Sequence, residues 1–488
     1  MANPKYGNIF TIMPILTPSR RWQPPFYPFK KRSFSERLEE ALERSFKGLI
    51  WGCRMCGNCL LQETAFICPM ACPKGYRNGP CGGSTPESCC VDESRPCIWH
   101  AIYVRAEKMN RLEKLLEVFP PLDWDKAGTS ALRDVYNKIN SHGKLRTIST
   151  IFRSSTTERK SKWERFFKDI RQPAWWDGDA YPHPPKPHEP VSSLEKLLSE
   201  GKFVLTCEIV PPAEDNFPVL DAKLAELSGL VDAVNITDNA SAIPRLSAFA
   251  CAQQALTSGI EPVLQMTTRD RNRLSLQASL IGASAAGIRN LLLVTGDHPI
   301  KAIAPFSHMD AWDLDSIQAV WIARKLRDEG VFLDGRTMDH PPSYFLGSAA
   351  APFASEPRFQ ALRAGKKINA GTQFMQTNLI FDLPRFEAYL EELEKRNLLS
   401  RVHLIAGVAP IKSLAAAKYL RQLPGVVIPD DIMQRLADAK NTSTEALKIC
   451  LELIEKLRAL PGIRGLHFMA VPNTDHLKKV LIESGLRE

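Results

Sequence analysis

The chain has 488 residues, which is too long for one ordinary domain, so we expect at least two domains. Hydrophobic residues make up 44% and charged residues 24%, a composition typical of soluble globular proteins and not of disordered or membrane-embedded chains. The net charge of +9 is modest for this length and gives no support to nucleic-acid binding. It favours an ordinary solvated basic surface, with docking of an acidic electron-transfer protein as the alternative.

The sequence predicts a cytoplasmic location. No stretch approaches the roughly 20 apolar residues that span a bilayer. The short apolar run near the N-terminus is broken by Pro14 and Pro18 and lacks the continuous apolar region and cleavage site of a signal peptide. Because cytoplasmic thiols stay reduced, this location favours metal binding over disulfide bonds for clustered cysteines.

Residues 1–35 are rich in proline, aromatic and basic residues, show no clear period, and are predicted to form an N-terminal extension. A helix is predicted from Ser35, which is a plausible cap. Leu38, Leu42 and Phe46 follow at four-residue steps, as on one face of a helix.

A cysteine-rich domain is predicted over residues 36–180. It contains nine of the twelve cysteines of the chain, and the first three form a continuous CxxCxxC run. Thiols at this spacing converge on one ion or cluster more readily than they form separate disulfides. The prolines after the fourth and fifth cysteines are typical of iron–sulfur ligand runs. The predicted metal ligands are Cys53, Cys56, Cys59, Cys68, Cys72, Cys81, Cys89, Cys90 and Cys97.

Nine thiolates suffice for one or two [4Fe–4S] clusters, since each cluster takes four. One division assigns the CxxCxxC triple to one cluster and Cys68, Cys72 and Cys81 to the other. Each cluster would then take its fourth ligand from the last three cysteines. Structural zinc is the alternative, because CxxC pairs also bind zinc.

A second helix is predicted directly after Cys97, through Trp99 to Phe119. A stiff proline-rich linker is predicted over residues 181–194. Its two histidines, His183 and His188, are expected to be solvated and not to bind metal.

From residue 195 to the C-terminus, short apolar runs alternate with helical segments, which indicates a parallel sheet covered on both faces. Eight such units predict an α/β fold of the (β/α)8 TIM-barrel class. A doubly wound open sheet is the alternative, although no GxGxxG follows the first strand. The predicted strands are 203–210, 231–237, 262–268, 290–296, 343–349, 372–378, 401–407 and 465–471.

Polar residues at the ends of these strands are candidates for chemistry, because barrels of this class place active sites there. Glu208 lies near the end of the first strand among apolar neighbours, which should raise its pKa and suit it to general acid catalysis. Thr237, Asp297 and Asn378 end or follow other strands. For each residue taken alone, a strand-end cap or loop hydrogen bond is the alternative role.

Four motifs in order resemble methylenetetrahydrofolate reductase over residues 195–488: CEIVPP, VTGDHP, INAGTQFMQTNLIFD and IAGVAPIKSLAAAKYL. The N-terminal part resembles the cysteine-rich subunit or fused domain of acetogen-type reductases, through CxxCGxC, CP, CPK, NGPCGG and CxW. The resemblance implies a flavin, FAD or FMN, and an oxidoreductase acting on CH–NH groups. It implies reduction of 5,10-methylenetetrahydrofolate to 5-methyltetrahydrofolate, or the reverse.

The resemblance also implies residue roles. Glu208 matches the acid that protonates N10 of the substrate, and Asp297 matches the aspartate at the flavin edge that also contacts the pterin. The remaining residues implied in flavin binding are Thr237, Gln265, Gly296, Ala349 and Lys367, and those implied in substrate binding are Gln373, Asn378 and Leu414.

Two positions depart from the family pattern. Asn378 replaces the pterin-binding glutamine, and Leu414 replaces the aromatic residue that closes over nicotinamide in NADH-dependent members. We therefore expect electrons from a protein partner, passed through the iron–sulfur clusters, instead of direct NADH use. The alternative is non-redox, tetrahydrofolate-dependent methyl transfer or demethylation with a structural zinc domain. The sequence leaves the oligomeric state open.

Overall fold

The computed structural model describes residues 33–133, 188–299, 312–471 and 473–487. The predicted N-terminal extension, the tryptophan-rich part of the cysteine-rich domain and most of the proline-rich linker lie outside these ranges. The domain boundaries stay predictions. Among the residues that the structure describes, no helix combines the length and apolarity that crossing a bilayer requires.

The C-terminal part is a closed barrel of eight parallel strands, β1 to β8, arranged in chain order. The barrel closes where β1 pairs with β8, with Val204 opposite Gly465. This confirms the predicted TIM barrel and excludes the open sheet, and each predicted strand overlaps an observed one. The strands are Val204–Ile209, Ala233–Ile236, Pro262–Thr267, Asn290–Val294, Phe345–Ala350, Phe374–Leu379, His403–Val408 and Ile463–Phe468.

The helices of the barrel form an outer layer over the strands. Their apolar faces are buried against the strands, as the alternating pattern of the sequence predicts. In chain order, α3 to α13 are Ser193–Ser199, Phe217–Leu227, Ala248–Thr257, Arg273–Ala285, Ser316–Glu329, Pro357–Ala370, Leu383–Lys395, Leu414–Leu420, Asp430–Asp438, Thr442–Ala459 and Thr474–Glu483.

The lower end of the barrel is filled by apolar side chains. Every second residue of a strand points inward, and Val204, Phe345 and Phe374 belong to one buried interior cluster. Leu194 and Leu198 of α3 join this cluster from below. The barrel is therefore closed at the N-terminal ends of its strands, and its chemistry belongs at the C-terminal ends.

Two helices belong to the cysteine-rich part, α1 at Phe34–Trp51 and α2 at Ile98–Lys108. The cap of α1 is Ser33 and not the predicted Ser35, because Ser33 forms a reciprocal capping box with Glu36. The predicted second helix is too long. It ends at Lys108 because Asn110 has a left-handed backbone (φ 51°). A 3-10 turn, Leu112–Leu116, follows; the other short 3-10 turns are Pro69–Ala71, Trp124–Lys126, Ala240–Ala242 and Leu399–Arg401.

The cysteine-rich part packs on the barrel. Trp99 and Tyr103 of α2 share a buried apolar cluster with Phe359 and Leu362 of α8. The rings of Tyr103 and Phe359 lie 5.4 Å apart. This contact fixes the cysteine-bearing loops relative to the C-terminal ends of the barrel strands.

Candidate active site

Glu208 lies near the end of β1, on the inward-pointing alternation of that strand. Its carboxyl group is largely removed from water, and this burial raises its pKa to about 7, while Lys223 of α4 acts in the opposite direction. A carboxylic acid with this pKa holds its proton in about half of the molecules at neutral pH. The predicted elevated pKa is therefore present in the structure.

The turn after β2 and the end of β4 meet at the same end of the barrel. The backbone N–H of Ser241 donates a 2.9 Å hydrogen bond to the exposed carboxylate of Asp297. Asn239, Ser241 and Ala242 all have positive φ angles of 48° to 59°. Such left-handed backbone costs energy in residues other than glycine, and it concentrates at functional sites. This turn fixes the position of Asp297.

A network that sequence reasoning missed lies at the end of β3. The buried carboxylate of Asp238 accepts hydrogen bonds from the Thr267 N–H (2.9 Å), the Thr267 hydroxyl (3.0 Å) and Arg271 (2.5 Å). Arg269 donates to the carbonyl of Asp297 at 3.3 Å. Two features of the sequence could have predicted this network: the charged run RDRNR and the acidic residue that follows β2. The ion pair between Asp238 and Arg271 and the hydrogen bond from Arg269 to Asp297 tie the ends of β2, β3 and β4 together.

Two buried hydroxyl groups at the same end of the barrel have no hydrogen-bond partner among the residues that the structure describes. They are the Oγ1 atoms of Thr237 and Thr268, which directly follow β2 and β3. Gly296 has φ +77°, and a Cβ atom there would lie 3.0 Å from the side chain of Thr267. The positive φ angle and this close contact both favour glycine at position 296. The two hydroxyl groups can still bond a ligand.

The other predicted site residues lie on several different strands and helices of the barrel. Gln265 and Ala349 lie on β3 and β5, on the inward alternation, and Leu414 begins α10 after β7 and is half-buried. Asn378 is on β6, and its amide donates to the carbonyl of Gly425 at 3.3 Å. These four residues lie within or above the C-terminal half of the barrel.

Gln373 does not belong to this site. It precedes β6, so it lies at the N-terminal end of the barrel, where its amide donates to Glu195 of α3 at 3.3 Å and its oxygen accepts from the Leu346 N–H. The structure therefore places the predicted substrate contact at the wrong end of the barrel.

Lys367 is buried on α8, and its ammonium donates to the carbonyl of Ala349. Burial lowers its pKa, and the nearby Arg363 lowers it further. The implied flavin-binding role of Lys367 has no support from this placement, because the ammonium already has a backbone partner inside the protein.

The nine clustered thiols form two groups. The first thiol group lines one small cavity, together with Glu43 and Lys47 of α1. Burial raises the pKa of Cys59 to about 11, and Lys47 opposes that change. The members of the first thiol group are Cys53, Cys56, Cys59 and Cys68.

The second thiol group lies on the side facing the barrel. Burial raises the pKa of Cys72, and the neighbouring Cys97, Cys81 and Cys89 raise it further. The sulfurs of Cys81 and Cys90 are 2.9 Å apart, and the hydrogen bond between them lowers the pKa of Cys81. The members of the second thiol group are Cys72, Cys81, Cys89, Cys90 and Cys97.

This grouping differs from the predicted division, which placed Cys68 with Cys72. The 3-10 turn Pro69–Ala71 separates these two residues and directs them to different groups. Within the described ranges, no three His, Cys, Asp or Glu side chains stand close enough together to hold a metal ion.

The loop that carries the second thiol group touches the C-terminal end of the barrel. A Cβ atom at Gly83 would lie 2.6 Å from the side chain of Pro424, and one at Gly425 would lie 2.9 Å from the carbonyl of Gly82. Gly425 also accepts from Asn378 at 3.3 Å. The thiol-bearing loop and the predicted pterin-binding amide therefore contact the same glycine.

A second contact involves the segment before that loop. The ammonium of Lys74 lies 5.5 Å from the ring centre of Tyr76 and 5.2 Å from that of Trp312. Trp312 in turn donates to the carbonyl of Thr295, at the end of β4, at 3.2 Å. The cysteine-rich part thus contacts the barrel beside both β4 and β6.

Comparison with known protein families shows to which family the chain belongs. The family model "Methylenetetrahydrofolate reductase" matches residues 193–485, which is more than half of the chain. The chain belongs to the methylenetetrahydrofolate reductase family. A second family model, "Methylene-tetrahydrofolate reductase C terminal", matches residues 34–125. The resemblance of the barrel is thereby confirmed, whereas the acetogen-type character of the cysteine-rich part stays a prediction.

Individual relatives are distant. The chain is 24% identical over 308 residues to the "Probable methylenetetrahydrofolate reductase (NADPH)" of Caenorhabditis elegans, covering 60% of this chain and 44% of that protein. It is 24% identical over 238 residues to "Methylenetetrahydrofolate reductase 2" of Schizosaccharomyces pombe, covering 46% and 36%. The chain spans less than half the length of these curated relatives.

Solved structures include an uncharacterized protein from Clostridium thermocellum that binds two copies of 5-methyl-5,6,7,8-tetrahydrofolic acid. It has a TM-score of 0.45 and 15% sequence identity, and the match covers 60% of this chain and 98% of that one.

Proposed function

We propose that this chain reduces 5,10-methylenetetrahydrofolate to 5-methyltetrahydrofolate, or catalyses the reverse reaction, using flavin and electrons from iron–sulfur clusters held by its thiols. The observation that carries the proposal is Glu208, whose burial at the end of β1 raises its pKa to about 7. Membership of the family supports the substrate and the reaction type.

We assign flavin binding to residues at the barrel mouth. Thr237 and Thr268 offer buried hydroxyl groups that have no partner within the described ranges, and Gly296 turns the chain directly after β4 with a φ angle of +77°. Asp297 is held by the Ser241 N–H at the same end of the barrel. Flavin, when bound here, supplies the hydride that converts the methylene group to a methyl group.

In this proposal Glu208 acts as the general acid. Its protonated carboxyl donates to N10 of the substrate, so the bond between N10 and the methylene carbon breaks and that carbon becomes electrophilic. The apolar surroundings keep the acid protonated near neutral pH, as the reaction requires. Asn378, beside Gly425, would contact the pterin through its amide oxygen.

The two thiol groups have the composition that [4Fe–4S] clusters require. The first thiol group supplies four thiols around one cavity, and the second supplies five, of which four suffice. Clusters there would supply single electrons. Contact of the Gly82–Gly83 loop with the barrel supports entry of those electrons at the barrel mouth. An iron–sulfur or flavoprotein donor would be the partner.

The test is the cofactor content of the full-length protein purified without oxygen. We expect flavin near one per chain, about eight irons per chain and a broad visible absorbance that reductant bleaches. Colourless protein with stoichiometric zinc would reject the iron–sulfur part of the proposal. Protein that neither contains nor takes up FMN or FAD would reject the flavin part.

A further inference from the structure

The helix α1 exposes an apolar stripe along its outer face. Six large apolar side chains follow one another at steps of one to four residues, and their exposed fractions lie between 40 and 83%. Steps of three and four residues place side chains on the same face of a helix. The stripe consists of Phe34, Leu38, Leu42, Phe46, Leu49 and Ile50.

The opposite face of α1 is polar and buried. Glu43 and Lys47 form an ion pair there, and Glu43 also accepts a hydrogen bond from Ser130. Both side chains line the cavity of the first thiol group. An ordinary surface helix buries its apolar face and exposes its polar one. The helix α1 instead buries polar side chains and exposes apolar ones. This arrangement indicates that a partner covers its outer face.

The size and composition of the stripe indicate the kind of partner. A helix of this length extends about 25 Å, and six such side chains present on the order of 600 Å² of apolar surface. Two such surfaces bury about 1,200 Å², the lower limit for stable protein–protein interfaces. The six side chains of the stripe are uncharged, while Glu39 lies on the same face, 3.9 Å from Arg133. Apolar side chains in this number would promote aggregation if they stayed uncovered.

We propose that the stripe is the interface with a second copy of this chain. Leu42 lies eight residues from both Phe34 and Ile50, so a two-fold axis through Leu42 pairs the two helices antiparallel. Leu38 of one copy then faces Phe46 of the other. Ridges with four-residue spacing interlock in this arrangement. The proposal does not depend on the reaction that the barrel catalyses.

This interface would also affect the first thiol group. The ring of Phe46, in the stripe, lies 5.9 Å from that of Trp51, which packs on the apolar cluster containing Cys56 and Cys68. A second copy would therefore cover the helix that separates the thiol cavity from solvent. We expect dimerisation to slow the access of oxidants to these thiols.

The test is the mass of the full-length protein by light scattering and sedimentation equilibrium at micromolar concentration. We expect twice the chain mass of 54.6 kDa. Leu42→Glu places two carboxylates at the axis, and Leu49→Glu buries two more. Each should raise the dimer dissociation constant by about 100-fold or more. Leu274→Glu is the matched control, since Leu49 and Leu274 are both 74% exposed.

Three results would overturn the proposal: a monomeric wild type, a dimer that survives both stripe substitutions, or a control that dissociates as readily as the stripe variants. Circular dichroism and the melting temperature of each variant show whether it is folded. The substituted side chains are exposed in one copy, so the monomer should fold normally. Should Leu42→Glu unfold, Leu49→Glu at the end of the stripe still decides the outcome.

Discussion

Replacement of Glu208 by glutamine removes the proton donor while keeping the size and polarity of the side chain. A positioned general acid contributes about 10²- to 10⁴-fold to a rate, so we expect kcat/KM for folate reduction to fall by that factor. Flavin content should not change, because Glu208 is not among the residues proposed to hold flavin. The assay is anaerobic stopped-flow oxidation of the reduced flavin by 5,10-methylenetetrahydrofolate.

The pH dependence of the wild type gives the same prediction a second readout. Since burial raises the pKa of Glu208 to about 7, kcat/KM should be constant below that pH and fall tenfold per unit well above it. Lys223 lowers the pKa of Glu208, so Lys223→Met should move this descending limb to higher pH. A pH-independent rate, or full activity in Glu208→Gln, would refute the assignment of Glu208 as the acid.

The same pKa shift has a consequence for stability. The folded protein holds the Glu208 proton up to about pH 7 and the unfolded chain only to about 4.5, so stability falls as pH rises through this interval. The loss amounts to about 3 kcal/mol, complete above pH 7. Glu208→Gln should therefore gain about 3 kcal/mol of unfolding free energy relative to wild type between pH 4.5 and pH 8. Urea unfolding of both proteins at pH 4.5 and pH 8 measures this gain. If the difference in unfolding free energy between variant and wild type is the same at both pH values, the pKa assignment is wrong.

Further predictions concern the thiols and the ends of the strands. Cys68→Ser should lower the iron content by about half, while Cys251→Ser, a buried thiol outside both thiol groups, should leave it unchanged; equal iron in the two variants would contradict the grouping. Gly83→Val places side-chain atoms against Pro424. Reduction of the flavin by a protein donor should therefore slow more than tenfold while flavin stays bound. An unaltered rate would show that electrons do not pass through the contact between this loop and the barrel. Asp238→Asn removes the charge that Thr267 and Arg271 bond, and should lower the unfolding free energy by about 1–3 kcal/mol at pH 7, which urea titration measures; stability equal to wild type would show that the network contributes nothing.

The barrel could be predicted from the sequence because its strands are near-continuous apolar runs separated by helices of ordinary length. Glu208 could be placed at the active end for the same reason, since it lies near the C-terminal end of the first run. The same rule would have excluded Gln373, which precedes its strand and so lies at the opposite end of the barrel. A motif matched by letters alone does not show at which end of a strand a residue lies.

The parts that could not be predicted depend on contacts between distant segments. Nothing in the spacing of Cys68 and Cys72 shows that a 3-10 turn directs them to different thiol groups. The contact of Gly83 with Pro424 joins residues far apart in the chain, and no local pattern marks it. The polar inner face of α1 is buried because Ser130 and Lys47 satisfy Glu43, which the periodicity of the helix does not reveal.

The most direct test of the central claim is one anaerobic turnover measurement on the full-length protein. Reduced methyl viologen would supply electrons, and 5-methyltetrahydrofolate would be quantified for wild type and Glu208→Gln side by side. We expect stoichiometric, repeated formation of 5-methyltetrahydrofolate by the wild type and a loss of about 100-fold or more in the variant. No product from a wild type that contains flavin, or equal rates for the two proteins, would contradict the claim that this barrel reduces methylenetetrahydrofolate with Glu208 as the acid.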